Sequence, residues 1–190
     1  MAINLQKGQR VEIGLTKVCV GLGWDPNTSS SSADYDLDAS AFMLGSNGKI
    51  PSDDFFVFYG NQQSADKTVA SSGDDTTGGN SDGGDDETLT VDITRLDPRI
   101  DQIVFVVTIY EAVKRKQNFG QVRNSYIRIY NAVTQEEICK YELGEDFSVE
   151  TGVEFGRLYK RNGQWKFEAI GQGYVCKGAL GLEDFVSKYK

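Results

Sequence analysis

Hydrophobic positions along this chain fall in short runs separated by turn signals, the spacing of strands rather than helices. Residues 11–15, 17–22 and 55–59 are brief β-branched or aromatic stretches. Residues 37–44 alternate, with Leu37, Ala39, Ala41 and Met43 on one face and Asp38, Ser40 and Phe42 on the other. Residues 88–93 alternate as well. Residues 102–110 (QIVFVVTIY) are continuously apolar, which predicts a central strand covered on both faces. Further strands are expected over 125–131, 136–142, 153–160 and 164–170. Asn47-Gly48 and Asn162-Gly163 read as hairpin turns, because both residues accept positive φ.

Helix is scarce. A turn fits residues 94–99, and Leu182, Phe185, Val186 and Tyr189 have the spacing of one short amphipathic C-terminal helix. The fold expected is mainly β: a single antiparallel β-sandwich domain over residues 1–190, with long acidic loops and that helix. Two segments do not fit the strand pattern. Residues 26–33 (PNTSSSSA) read as a low-complexity linker. Residues 62–87 hold only Ala65, Val69 and Ala70 as apolar side chains and read as one long loop. Loops of that length inside a domain are usually functional or disordered.

Charge sharpens the interest in these loops. The net charge is −8, from 20 basic and 28 acidic residues. Residues 25–38 carry four carboxylates and residues 74–87 carry six, with no Lys or Arg in either window; elsewhere 18 acids face 20 bases. Nucleic acid is excluded as a partner for such windows, since its binding depends on cations meeting phosphates. The chain has no histidine, which excludes Ser-His-Asp and Cys-His catalysis and His-ligated zinc. Cys19, Cys139 and Cys176 are scattered, so neither a disulfide framework nor a thiolate zinc site is expected. The first residues lack the apolar run of a signal peptide, and no stretch reaches the length of a membrane span. A cytoplasmic location is the expectation.

Asp34-Tyr35-Asp36-Leu37-Asp38 places three carboxylates on one side of an extended strand. Like charges so close are costly without a counter-ion. The second window mixes carboxylates with glycines, which let the backbone curl and turn its carbonyls inward. That chemistry suits Ca²⁺, with about six to eight oxygen ligands, better than Mg²⁺, with its strict octahedron. An EF-hand is excluded, because the sixth and twelfth loop positions counted from Asp34 are Ala39 and Gly45. A solvated acidic surface is the competing reading. Asp53-Asp54 reads as an ordinary turn and Trp24 as a buried anchor. The amide-rich run 117–124 reads as a turn, and Gly171-Gln172-Gly173-Tyr174 lacks the ending of a phosphate loop.

Several ordered blocks carry a resemblance. Residues 21–25 (GLGWD), 34–42 (DYDLDASAF), 53–61 (DDFFVFYGN), 84–87 (GDDE), 117–124 (QNFGQVRN) and 171–174 (GQGY) resemble the TerD family of tellurium-resistance and general stress proteins. The resemblance implies a calcium-binding β-sandwich from bacterial stress operons. Its implied ligands are Asp25, Asp36 and Asp38, with Asp74, Asp82, Asp85, Asp86 and Glu87 from the long loop, and Asp34 and Asn61 as extras. It also implies a protein partner, a membrane-spanning protein of the same operon, and with it a peripheral place at the inner membrane. The residues add their own constraints. Acidic windows repel the tellurite oxyanion, and scattered cysteines offer no dithiol to reduce it. The expectation is a non-enzymatic module. Two Ca²⁺ ions would lower the charge of the windows from −10 to −6 and order a surface for the partner. A constitutive module with calcium as a fixed staple is the alternative, followed by a metal-dependent hydrolase.

Overall fold

The β-branched run after Asp101 forms β7 (Gln102–Ile109), seven of whose eight residues are buried. In this computed structural model, which describes residues 7–29, 32–79 and 84–190, β7 lies inside a six-stranded antiparallel sheet. Its other strands are β1 (Arg10–Glu12), β3 (Leu37–Leu44), β4 (Phe56–Val57), β10 (Gly152–Arg161) and β11 (Gln164–Tyr174). The spatial order is β1-β11-β10-β7-β3-β4. The second sheet has five strands: β2 (Lys17–Gly23), β5 (Val69–Ser71), β6 (Glu87–Asp92), β8 (Tyr126–Asn131) and β9 (Glu137–Glu142). Its order is β5-β6-β2-β8-β9. Three short α-helices lie among the described residues, α1 (Ala112–Arg115), α2 (Leu143–Asp146) and α3 (Glu183–Tyr189). The sandwich expected from the pattern is the fold observed.

The alternation in β3 explains how both faces of the larger sheet are used. Leu37, Ala39, Ala41 and Met43 enter the main core between the sheets, beside Phe105, Val107, Phe155 and Phe167. Phe42 and Leu44 point outward and still are buried, in a second cluster with Val104, Val106, Phe185 and Tyr189. The amphipathic helix α3 covers that outer face as predicted. Its anchor is polar: Glu154, only 4% exposed, accepts hydrogen bonds from the hydroxyls of Tyr189 (2.5 Å) and Tyr174 (3.1 Å) and pairs with Lys188. Tyr189→Phe should therefore lower stability by about 1.5 kcal/mol, the value of a hydrogen bond to a charged group. The thermal midpoint should fall by roughly 3–6 °C, as scanning calorimetry would read; an unchanged midpoint would mean that α3 is held by its apolar face alone.

Three expectations need correction. The strand foreseen over 11–15 ends at Glu12, where its pairing with β11 stops; Ile13 turns into the core instead. The aromatic run 55–59 is strand only at Phe56–Val57, because Asp53–Phe55 form a 3₁₀ turn and Phe58 pairs back to Asn61. The segment 62–87 is not one structureless loop. Val69–Ser71 forms β5 against β6, with Val69 fully buried. Asp66 ties that half of the segment together, accepting from the Ser64 and Thr68 hydroxyls and from the backbone N–H of Thr68 and Asp97. Asn162 and Gly163 both take positive φ and close the β10–β11 hairpin, as their sequence requires.

Candidate metal centre

The short β4 leaves the edge of β3 unpaired at its start, and the acidic loops fill the gap. β4 pairs only with Ala41 and Phe42. The free N–H of Ala39 donates to Glu87 Oε2 (2.9 Å) instead, and the N–H of Asp75 donates to Glu87 Oε1 (3.1 Å). Glu87, the first residue of β6, thus ties the smaller sheet and the loop before it to the larger sheet. That tie brings Asp74 over Asp36 and Asp38. One carboxylate oxygen from each of these three residues lies within 4.8 Å of the others. Asp36 and Asp38 are buried and Asp74 is exposed. Asp38 sits opposite Thr108 of β7, on the outward face of β3. Its Oδ2 is buried without a hydrogen-bond partner among the described residues.

Burial dominates the electrostatics here. Loss of solvation, with the Glu87 and Asp36 charges behind it, pushes the Asp38 carboxyl up to about 9. Loss of solvation likewise raises Glu87 to about 8, against the opposing pull of its two backbone donors. Loss of solvation raises Asp36 as well, but only to about 6, with Arg115 beside it pulling the other way. Nearby, burial and then the Asp38 charge push the Tyr59 hydroxyl up to about 12. Burial is the first cause of every one of these shifts, and neighbouring negative charge adds to it at Asp38. An orphaned buried carboxylate oxygen among carboxylate donors fits a hard divalent cation, for which Asp36, Asp38 and Asp74 would be the ligands.

The other acids singled out in the sequence are placed differently. Asp85 faces away from the cluster and is neutralised by Arg128 through a two-pronged pair, both contacts 2.9 Å. The Tyr126 and Tyr130 hydroxyls also donate to it (2.9 and 3.2 Å). The space for this group is made by Gly21 on β2, where a Cβ would lie 2.2 Å from Asp85 Oδ2. A ligand role for Asp85 has to compete with that complete set of donors. Asp86 accepts from the Trp24 N–H (2.8 Å) and Asp25 from the Asn124 amide (2.8 Å). Both line a second depression with Trp24, Gly78 and Asn124, beside the first cluster but not part of it. Trp24 is the buried anchor expected, its Nε1 donating to the Tyr35 carbonyl.

Asp34 is exposed and precedes the strand, so the three carboxylates do not share one strand face. Its carbonyl, not its carboxylate, is engaged, by Arg115 and Gln117. The side-chain amide of Asn61 donates to the Phe56 carbonyl and closes the turn after β4. Asp82 lies outside the described residues. Asp53 and Asp54 are exposed in their turn, and the amide-rich run is a turn capped reciprocally by Asn118 and Gln121. Sequence reasoning missed Arg115. Its basic neighbours Lys114 and Lys116 hide it in an ordinary charged turn, and no spacing signal singles it out.

Residues 1–189 match the family model described as TerD domain. Over 179 residues, 92% of each chain, the protein is 48% identical to general stress protein 16U of Bacillus subtilis. It is 45% identical to tellurium resistance protein TerD of Serratia marcescens, covering 100% of this chain and 97% of that one. A crystal structure of a homologue of telluride resistance protein from Streptomyces coelicolor has the same fold, with a TM-score of 0.72, 22% identity and coverage of 85% and 91% of the two chains.

Proposed function

The chain belongs to the TerD domain family, and from that premise we propose that it is a calcium-binding module of the tellurium-resistance and general stress response. The observation that carries the metal reading is Asp38: a carboxylate with an oxygen buried and, among the described residues, unpartnered, facing two further carboxylates. A hard cation is the partner that such an oxygen lacks. When bound, the cation supplies positive charge and crosslinks loop to strand. The protein's own part is to hold Asp38 on the start of β3 with Asp36 just before it, and to deliver Asp74 through the Glu87 tie. The second depression, with Asp25 and Asp86, is the place for the second ion of the pair.

The role that follows is binding rather than catalysis. Asp85 and Glu87 are already engaged by internal donors rather than turned toward a substrate cleft. Cys19, Cys139 and Cys176 are free thiols, all buried, and none pairs with another, which supports the view that tellurite is not reduced here. Acidic loops repel the oxyanion itself. No helix among the described residues is long and apolar enough to cross a membrane. The partner in this reading is a membrane-spanning protein. Loop ordering on cation binding would present that partner surface, at a cytoplasmic location.

Calorimetric titration of metal-stripped protein with Ca²⁺, with Mg²⁺ as control, tests the reading. We expect Ca²⁺ to bind in the micromolar range or tighter, Mg²⁺ to bind more weakly, and the double variant Asp36→Asn/Asp38→Asn to lose the heat. A Kd below about 10⁻⁷ M would make the ion a fixed staple, and one of about 10⁻⁶–10⁻⁵ M a responsive switch. Absence of heat with the wild-type protein would end the calcium reading.

A further inference from the structure

The acidic cluster carries one cation of its own. Arg115, at the end of α1, directs Nη1 toward Asp36 Oδ2 at 3.4 Å and toward the Asp34 carbonyl at 3.3 Å. Its Nε lies 3.5 Å from Glu111, and its guanidinium lies over the Tyr110 ring at 5.1 Å. Left-handed residues at both ends of α1, Glu111 and Lys116, fold the chain back tightly enough to deliver the side chain there. Among the described residues it is the one basic side chain that pairs with an acid of the Asp36, Asp38, Asp74 and Glu87 group.

That pairing is loose. A guanidinium can meet a carboxylate through two parallel bonds near 2.8 Å, as Arg128 does with Asp85. Arg115 instead makes one long contact and shares the same nitrogen with a backbone carbonyl. It reaches Asp36 and leaves the deeper Asp38 Oδ2 without a partner among the described residues. One charge therefore serves three carboxylates and the nearby Glu87. We propose that Arg115 is a resident counter-ion of the metal centre, which holds the acids together without metal and opposes a divalent cation when one enters. This inference rests on the calcium reading of the site. Its physical basis is simple: a cation bound at about 2.4 Å from these oxygens shares Asp36 with a fixed positive group only a few ångströms away. The two repel, and the guanidinium has to give up Asp36. Arg115 then sets the affinity of the site, weakening it below what the carboxylates alone would reach, and its release alters the surface at α1.

The test compares calorimetric Ca²⁺ binding by metal-stripped wild type, Arg115→Gln and Arg115→Lys. Arg115→Gln should bind Ca²⁺ about tenfold more tightly, since a nearby like charge is removed from a partly solvated site. Arg115→Lys keeps the charge and should stay within about threefold of wild type. In wild-type protein the Arg115 Nε–H signal in a nitrogen-edited NMR spectrum should shift in step with Ca²⁺ occupancy. Equal or weaker binding by Arg115→Gln, with wild type still binding, would overturn the counter-ion role and leave the metal centre standing. So would Arg115→Lys binding as tightly as Arg115→Gln, because shape rather than charge would then matter. If neither wild type nor Arg115→Gln bound Ca²⁺, the metal centre itself would fall, and this inference with it.

Discussion

Asp38→Asn should raise the thermal midpoint of the metal-free protein and, in the same variant, remove the stabilisation by Ca²⁺. The two effects have opposite sign and one cause. A carboxyl that titrates near 3.8 in the unfolded chain and at about 9 in the folded one costs nothing below the lower value. The cost grows as pH rises between the two, because folding then requires the group to take up a proton or to bear an unpaired charge. Glu87, at about 8, and Asp36, at about 6, add in the same direction. Metal-free wild type should therefore lose stability from about pH 5 to pH 9. Asn has no charge to bury, so the variant escapes most of the Asp38 share. At pH 7.5 a gain of about 2 kcal/mol, or roughly 4–8 °C, is expected, shrinking to nothing near pH 4. Calcium inverts the comparison. At a hundredfold excess over Kd it should stabilise wild type by about 2.7 kcal/mol, and the variant by little. Scanning calorimetry at three pH values, with chelator and with Ca²⁺, reads all of this. A variant less stable than wild type at pH 7.5 in chelator would mean that Asp38 is held by donors in the metal-free protein, and the site would lose its driving force.

Arg128→Ala should destabilise the protein by about 3 kcal/mol, or roughly 6–12 °C, without changing Ca²⁺ affinity. Asp85 has a side chain only 6% exposed, and Arg128 supplies its countercharge. Removing the guanidinium strands a buried carboxylate, with only the hydroxyls of Tyr126 and Tyr130 left as donors among the described residues. It also removes a cation lying over the Tyr130 ring at 4.7 Å. Adding Asp85→Asn to Arg128→Ala should recover at least half of the loss, because the stranded charge is gone. Chemical denaturation of the two variants measures the difference. If Asp85→Asn alone weakened Ca²⁺ binding as much as Asp38→Asn does, Asp85 would be a ligand and its pairing with Arg128 a metal-free arrangement.

The division between these two acids shows what a sequence carries. Both stand in base-free windows, and nothing local separates them. The arginine that neutralises Asp85 comes from β8, 43 residues away, and Gly21 of β2 makes the room for it. Asp38 meets no such partner among the described residues. Local reading therefore collects the right neighbourhood and cannot sort its members.

Alternation, turn chemistry and the continuous run of β7 determined the sandwich, the covering helix and the acidic end of the molecule. These rest on interactions between near neighbours, and the side-chain period is written residue by residue. The TerD-like blocks carried the family for the same reason, as contiguous strings. Only the tertiary structure decided which carboxylates converge. The Glu87 tie to Ala39 joins positions 48 residues apart, and Arg115 reaches Asp36 across 79. It also decided that Val69–Ser71 is a strand, since a three-residue segment with one strongly apolar side chain becomes a strand when β6 offers it an edge. Pairing across such distances depends on where the sheets bring their ends together, and no periodicity within one segment encodes it.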